Sequence, residues 1–77
     1  MEFAIDLDAR QLACPLPILR AKKALSQMAS GQVIRITATD CGAPKDFEEF
    51  CRLTGNELLS SFEQGGEFVF LIRRRQT

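Results

Sequence analysis

Histidine, tryptophan and tyrosine are all absent from the chain. Without histidine there is no imidazole to act as general base beside a nucleophile, and a metal site would have to be built from cysteine and carboxylate alone. Without tryptophan or tyrosine there is no platform of the kind on which single-stranded nucleic acid stacks. Cysteine is scarce as well: Cys14, Cys41 and Cys51 are an odd number, contain no Cys-x-x-Cys pair, and suit neither a disulfide framework nor a zinc site. The expectation is therefore no metal and no cofactor. There is also no excess of either charge, since ten Lys and Arg balance ten Asp and Glu. A chain built to coat nucleic acid would be basic, so no direct nucleic-acid contact is expected.

Long apolar runs are missing too. No stretch reaches the roughly 18 residues of a membrane span, and Met1-Glu2-Phe3-Ala4-Ile5-Asp6 has neither the basic nor the apolar region of a signal peptide. The reading is no membrane association, with the cytoplasm as the default location. The 77 residues, 45% hydrophobic and 26% charged, have the composition of one small globular domain spanning residues 1–77. A domain of this size buries only about 60% of its unfolded surface.

What charge there is has been sorted along the chain. From Arg10 to Arg35 every charge is basic (Arg10, Arg20, Lys22, Lys23, Arg35), whereas Asp40 to Glu67 is acidic apart from Lys45 and Arg52. This gives either a two-signed surface for a protein partner, with Arg20, Lys22 and Lys23 as the candidate contacts, or ordinary solvated faces.

Alternation in residues 2–8 points Phe3, Ile5 and Leu7 one way and the acids the other, which predicts a first strand with one wet face. From Pro15 to about Ala29, Ile18, Ala21, Leu25 and Met28 recur at steps of three and four, with Ala24 beside them. This predicts a helix with Pro15 at its first position and an end near Ser30-Gly31. Gln32 to Thr39 alternates again as a second strand, parallel to the first across a right-handed crossover. Pro44 to Thr54, closed by Gly55, predicts a second helix with Phe47, Phe50, Cys51 and Thr54 inward. Asn56 to Glu63 and Phe68 to Arg74 are the last strands, joined in a hairpin at Gln64-Gly65-Gly66. Apolar on both faces, the last strand belongs inside the sheet. The fold expected is an α+β two-layer sandwich of order βαβαββ, a four-stranded mixed sheet in spatial order 1-2-4-3 with two helices on one face. Val33, Val69 and Leu71 then lie on the uncovered face. Arg73-Arg74-Arg75 reads as a solubilising terminus.

Chemistry concentrates at Cys14-Pro15-Leu16-Pro17, where the first strand gives way to the helix. Open α/β sheets bind ligands at the edge where parallel strands exit, and that is where this thiol falls. Unpaired amides and partial positive charge at a helix N-terminus favour thiolate over thiol, and Arg10 and Arg20 add to the effect. The expectation is a partly exposed thiol with a depressed pKa. Lacking a base, it is poorly equipped for acyl transfer but suited to sulfur exchange, which needs only a nucleophilic sulfur and access. Position at a rim weighs against Cys14 as a small buried hydrophobe. Cys51, on the inward stripe of the second helix, has that character instead, and Cys41 in the turn before that helix is a candidate second thiol.

The stretch Asp8-Ala9-Arg10-Gln11-Leu12-Ala13-Cys14-Pro15-Leu16-Pro17 and the basic helix after it resemble the Cys-Pro-x-Pro signature of the TusA (SirA-like) sulfur-carrier family. The resemblance extends through Ser30-Gly31, Asp40, Asp46, Gly55 and Phe70-Leu71-Ile72-Arg73. It implies a cytoplasmic sulfurtransferase-type carrier rather than a stand-alone enzyme, with sulfane sulfur held as a persulfide on Cys14. Pro15, Pro17, Arg10 and Asp40 are then its supporting motif. The implied partners are a cysteine desulfurase or other donor and a downstream acceptor protein, serving tRNA thiolation or a related pathway. Gln11 stands where the family usually has Gly, and Cys41 where it usually has Pro. Two other readings are a thiol redox protein using Cys14 with Cys41, and a non-catalytic regulatory or interaction module.

Overall fold

Strand, helix and strand alternate as the apolar periods require. A computed structural model describes residues 3–75, in the order β1 (Ile5–Ala9), α1 (Leu16–Ser26), β2 (Val33–Ala38), α2 (Ala43–Thr54), β3 (Glu57–Gln64) and β4 (Glu67–Arg73). The sheet runs β1-β2-β4-β3. β1 and β2 are parallel, with Leu7 opposite Ile36, and β4 lies antiparallel to both β2 and β3. This is the mixed sheet of order 1-2-4-3 that the alternation predicts.

Period-2 alternation divides the sheet into two faces. Ile34, Ile36, Ala38, Phe70 and Ile72 are buried together with Ala21 and Leu25 of α1 and Phe47 and Cys51 of α2. The Phe47 and Phe70 rings lie 4.6 Å apart and join the second helix to the central strand. On the opposite face Asp6 stands directly across from Arg35 and accepts from its guanidinium at 2.7 and 3.2 Å. Val33, Val69 and Leu71 are half-buried there, as expected. Glu2, included in the first-strand expectation, lies outside the described residues. Phe3 departs from expectation: β1 begins only at Ile5, with the Ala4 amide donating to the Val33 carbonyl just before it, so Phe3 lies outside the strand and its ring sits under the Arg35 guanidinium, 4.5 Å from ring centre to Cζ.

Helix α1 is shorter than its apolar stripe. Pro15 is the residue before the helix rather than its first, Pro17 occupies the second position and is buried, and the Cys14-Pro15 peptide is cis. At the far end the Leu25 carbonyl would ordinarily accept from the Ala29 amide. Instead Leu25 accepts from the Arg74 Nε at 2.7 Å and from the Met28 amide, while the Ala29 amide donates to Gln32 Oε1 at 2.9 Å. Both partners of the next helical bond are thus taken, and the helix stops at Ser26 with Met28 still buried. Helix α2 starts one residue before its predicted first position, at Ala43 with Pro44 second, and ends as predicted at Thr54 with Gly55 at φ 80° closing it. Gly65 and Gly66, at φ 60° and 80°, make the two-residue hairpin turn between β3 and β4.

Arg73, Arg74 and Arg75 are not merely a solvated end. Arg73 pairs with Glu57 across the hairpin, Arg74 caps α1 as described, and the Arg75 guanidinium donates to the carbonyl of Thr54 at the end of α2. Cations at helix C-termini meet the orphan carbonyls and the negative end of the dipole.

Candidate functional site

The two parallel strands leave the sheet at the same edge. β1 continues into the loop that carries Cys14, and β2 into the loop that starts α2. The loops are tied together where the Gln11 amide donates to Thr39 Oγ1 at 2.8 Å. Gln11 takes a left-handed backbone, φ 65°, to make that turn. Cys14 then emerges exposed at the mouth of α1, ahead of Pro15, Leu16 and Pro17.

Both helices lie on one face and begin at this edge, so the first turn of α2 stands beside the thiol. Cys14, Pro15 and Ile18 form one wall of an open groove of about 330 Å³, and Lys45, Asp46, Glu49, Phe50 and Leu53 form the other. Leu53 is 69% exposed at its rim, and Leu16 and Leu19 are exposed on the outer side of α1. The site therefore combines a reachable sulfur, an apolar lining and an acidic flank.

That flank reverses the expected electrostatics. The Asp46 carboxylate, across the groove from Cys14, holds the thiol's pKa above its ordinary value by favouring the protonated form, with smaller contributions from desolvation and from the charges of Asp46 and Asp40. A neighbouring negative charge disfavours the thiolate, and the first turn of α1 has lost the amide of Pro17 that would have favoured it. Arg10 does not offset it. Its backbone and guanidinium donate to Asp8 at 2.9 to 3.1 Å, and it reaches Glu67 at 3.5 Å. The arginine holds the Asp8 carboxyl down at about 2. Asp40 accepts from the Gly42 amide at 3.0 Å, turning the chain into α2.

The remaining candidates divide by place. Arg20, Lys22 and Lys23 are exposed on α1, and Lys22, in the second half of that helix, lines a cleft with Arg74 and Arg75. Cys41 is exposed in the loop before α2, outside the groove that Cys14 lines. Cys51 is buried, and burial pushes its thiol up to about 11. Among the described residues no three Cys, Asp or Glu are grouped to hold a metal ion. Residue patterns alone did not single out Lys45, Asp46 and Glu49 as neighbours of the thiol. Their only signal is that Asp46 falls in the first turn of a helix starting at the same sheet edge.

Comparison with known proteins bears on this arrangement. The family described as "Sulfurtransferase TusA" matches residues 5–74. The chain is 58% identical over 73 residues to the sulfur carrier protein TusA of Allochromatium vinosum, covering 95% of this chain and 96% of that one. It is 41% identical to the putative sulfur carrier protein YrkI of Bacillus subtilis, over 88% of this chain and 91% of that one. In fold it is similar to the crystal structure of a SirA-like protein from Desulfitobacterium hafniense, with a TM-score of 0.83, 24% identity, and coverage of 95% of this chain and 100% of that one. Matched along nearly its whole length at this identity, the chain belongs to the TusA family of sulfur carriers.

Proposed function

We propose that Cys14 is the sulfur-bearing residue of this carrier, that residues 1–77 act as one carrier unit, and that Pro15 and Pro17 hold the sulfur at the rim while the groove beside it receives the partner. The observation that carries this reading is the exposed thiol at the mouth of α1, set against an open, partly apolar groove. In loading, the Cys14 thiol gives up its proton and Sγ attacks the outer sulfur of a donor persulfide. The donor's S–S bond breaks, its cysteine leaves as a thiolate, and Cys14 becomes Cys–S–SH. In unloading, the acceptor's thiolate attacks that outer sulfur and the Cys14 thiolate is regenerated. Each step exchanges one S–S bond for another, so neither an external oxidant nor a cofactor is needed.

The donor that fits this chemistry is a cysteine desulfurase of the cytoplasm. The acceptor is a protein thiol in a relay that ends in tRNA thiolation or a related sulfur-transfer pathway. Arg20, Lys22 and Lys23 are candidate contacts for these partners, away from the reacting sulfur. Incubation with a cysteine desulfurase and cysteine should add one sulfur, about 32 Da, to the intact mass, and reductant should remove it. No adduct on the unsubstituted protein, or an equal adduct on Cys14→Ser, would end this reading.

A second reading rests on the fact that Cys14 and Cys41 are both free and exposed. As a redox pair they would lose two thiols together at a defined potential. Failure of Cys41→Ser to change the oxidised fraction of Cys14 would count against it.

A further inference from the structure

The Cys14 groove has one feature that sulfur carriage by itself does not require. The flanking loop and α2 supply three carboxylates, Asp40, Asp46 and Glu49, against one cation, Lys45. The opposite wall supplies only the uncharged Pro15, just before α1, and Ile18 of α1 beside Cys14. Arg10, the nearest cation along the chain, is committed to Asp8 and Glu67. Of the two carboxylates that line the groove with Cys14, Asp46 is the one in the first turn of α2, at the edge where the thiol emerges, and it is the one that raises the thiol's pKa.

We propose that Asp46 is a specificity-determining residue for exchange at Cys14: its carboxylate, lining the same groove as the thiol, selects donors that carry positive charge beside their reacting sulfur. The proposal deepens the carrier reading and rests on it for its biological meaning. The nucleophile is the thiolate, and a neighbouring carboxylate disfavours it. A cation brought in with the donor sulfur is attracted to Asp46 and offsets its charge on contact, so more of the thiol ionises as the sulfurs meet. An anionic donor is repelled and suppresses the thiolate further. The two effects act in the same direction.

The step is ordinary exchange. Cys14 loses its proton to solvent, Sγ attacks one sulfur of the S–S bond, and the displaced thiolate leaves and is protonated according to its own pKa.

The test uses small disulfides of matched size and different charge at pH 7 and low ionic strength, on the Cys41→Ser protein so that Cys14 is the exposed thiol. Rates of mixed-disulfide formation are read by intact mass with cystamine (cationic), hydroxyethyl disulfide (neutral) and dithiodipropionate (anionic). Each rate is divided by that of a small neutral cysteine derivative with the same disulfide. Cystamine should be preferred over the anion more strongly by the protein than by that small thiol. Asp46→Asn should cut that preference by roughly fivefold, the effect of one unit charge a few ångströms away in a wet site, and should speed the neutral disulfide. Asp46→Glu should restore the preference. Glu49→Gln, which removes the groove carboxylate one turn further along α2, should change it less.

An unchanged preference in Asp46→Asn, or an equal loss in Glu49→Gln, would overturn the assignment. A second readout needs no variant at Asp46: sodium chloride at about 1 M, where screening acts within about 3 Å, should weaken the preference, and persistence would also overturn it. No persulfide enters this assay. Failure of sulfur loading with an intact charge preference would therefore remove the carrier reading and leave the role of Asp46 in exchange. Normal loading without the preference would remove only Asp46.

Discussion

Gln11 holds a left-handed backbone, φ 65°, that disfavours any side chain bearing a Cβ. The loop accepts that conformation because it brings the Gln11 amide to Thr39 and swings the following residues toward the mouth of α1. Its side chain is exposed, so the conformation is set by the backbone and not by packing. Gln11→Gly should stabilise the fold by up to about 1 kcal/mol, the relief of left-handed strain less the extra freedom of glycine when unfolded. For a domain this small that corresponds to a rise in Tm of roughly 4–8 °C per kcal/mol, readable in a thermal melt. A fall in Tm would mean that the Gln11 side chain makes a stabilising contribution of its own. The residues that mark the thiol, Cys14 with Pro15 and Pro17, were legible directly from sequence. Asp46 was not legible as its neighbour, because it lies on another helix and only packing brings it there.

At the scale of elements, the largest correction concerns the basic run that follows β4. Read linearly, Arg73-Arg74-Arg75 is a solubilising end, yet each arginine has a different partner in the fold. Alternation sends Arg73 to the open face and Glu57. Beyond the strand the chain passes the C-termini of both helices, whose last carbonyls lack donors. Arg74, half-buried, meets the Leu25 carbonyl, and Arg75 meets that of Thr54. Arg74→Ala should cost about 1–2 kcal/mol, as expected for a lost charge-assisted bond at a helix end, and should speed amide exchange in the last turn of α1. Arg73→Ala breaks only an exposed pair and should cost about 0–1 kcal/mol. Denaturant titrations of the two variants separate these outcomes, and equal costs would show that α1 is not capped by Arg74. The same contact explains why the apolar stripe through Met28 overstated the length of α1. A stripe reports burial, and Met28 stays buried in the turn after the helix has ended.

For the molecule as a whole, stability of roughly 4–11 kcal/mol is expected for a chain of this length, and it resides in one core between sheet and helices. Cys51 lies in that core, and burial pushes its thiol up to about 11. An unfolded cysteine titrates near 8.5. The folded state therefore binds the proton more tightly, and the stability this confers is complete below about pH 8.5 and lost as pH rises through about 11. Denaturation midpoints should fall over that window in the unsubstituted protein and fall less in Cys51→Ala. Parallel curves would show that another group governs the alkaline limb.

Local pattern by itself determined much of this protein. Alternation and its face, two amphipathic helices with their prolines and closing glycine, the Gly65-Gly66 turn, and a cysteine at a helix mouth all depend on neighbours within a few residues. From these the order βαβαββ and the sheet order 1-2-4-3 follow, because a parallel crossover and a tight hairpin leave little topological choice. Tertiary structure alone decided the direction in which the thiol's pKa moves, the commitment of Arg10 to Asp8 and Glu67, and the capping by Arg74 and Arg75. Each of these is an electrostatic contact whose sign and strength depend on distances of a few ångströms between segments remote in sequence or on side-chain direction, and a periodic pattern carries neither. The cysteine was visible from the start. The charge that surrounds it came from the fold.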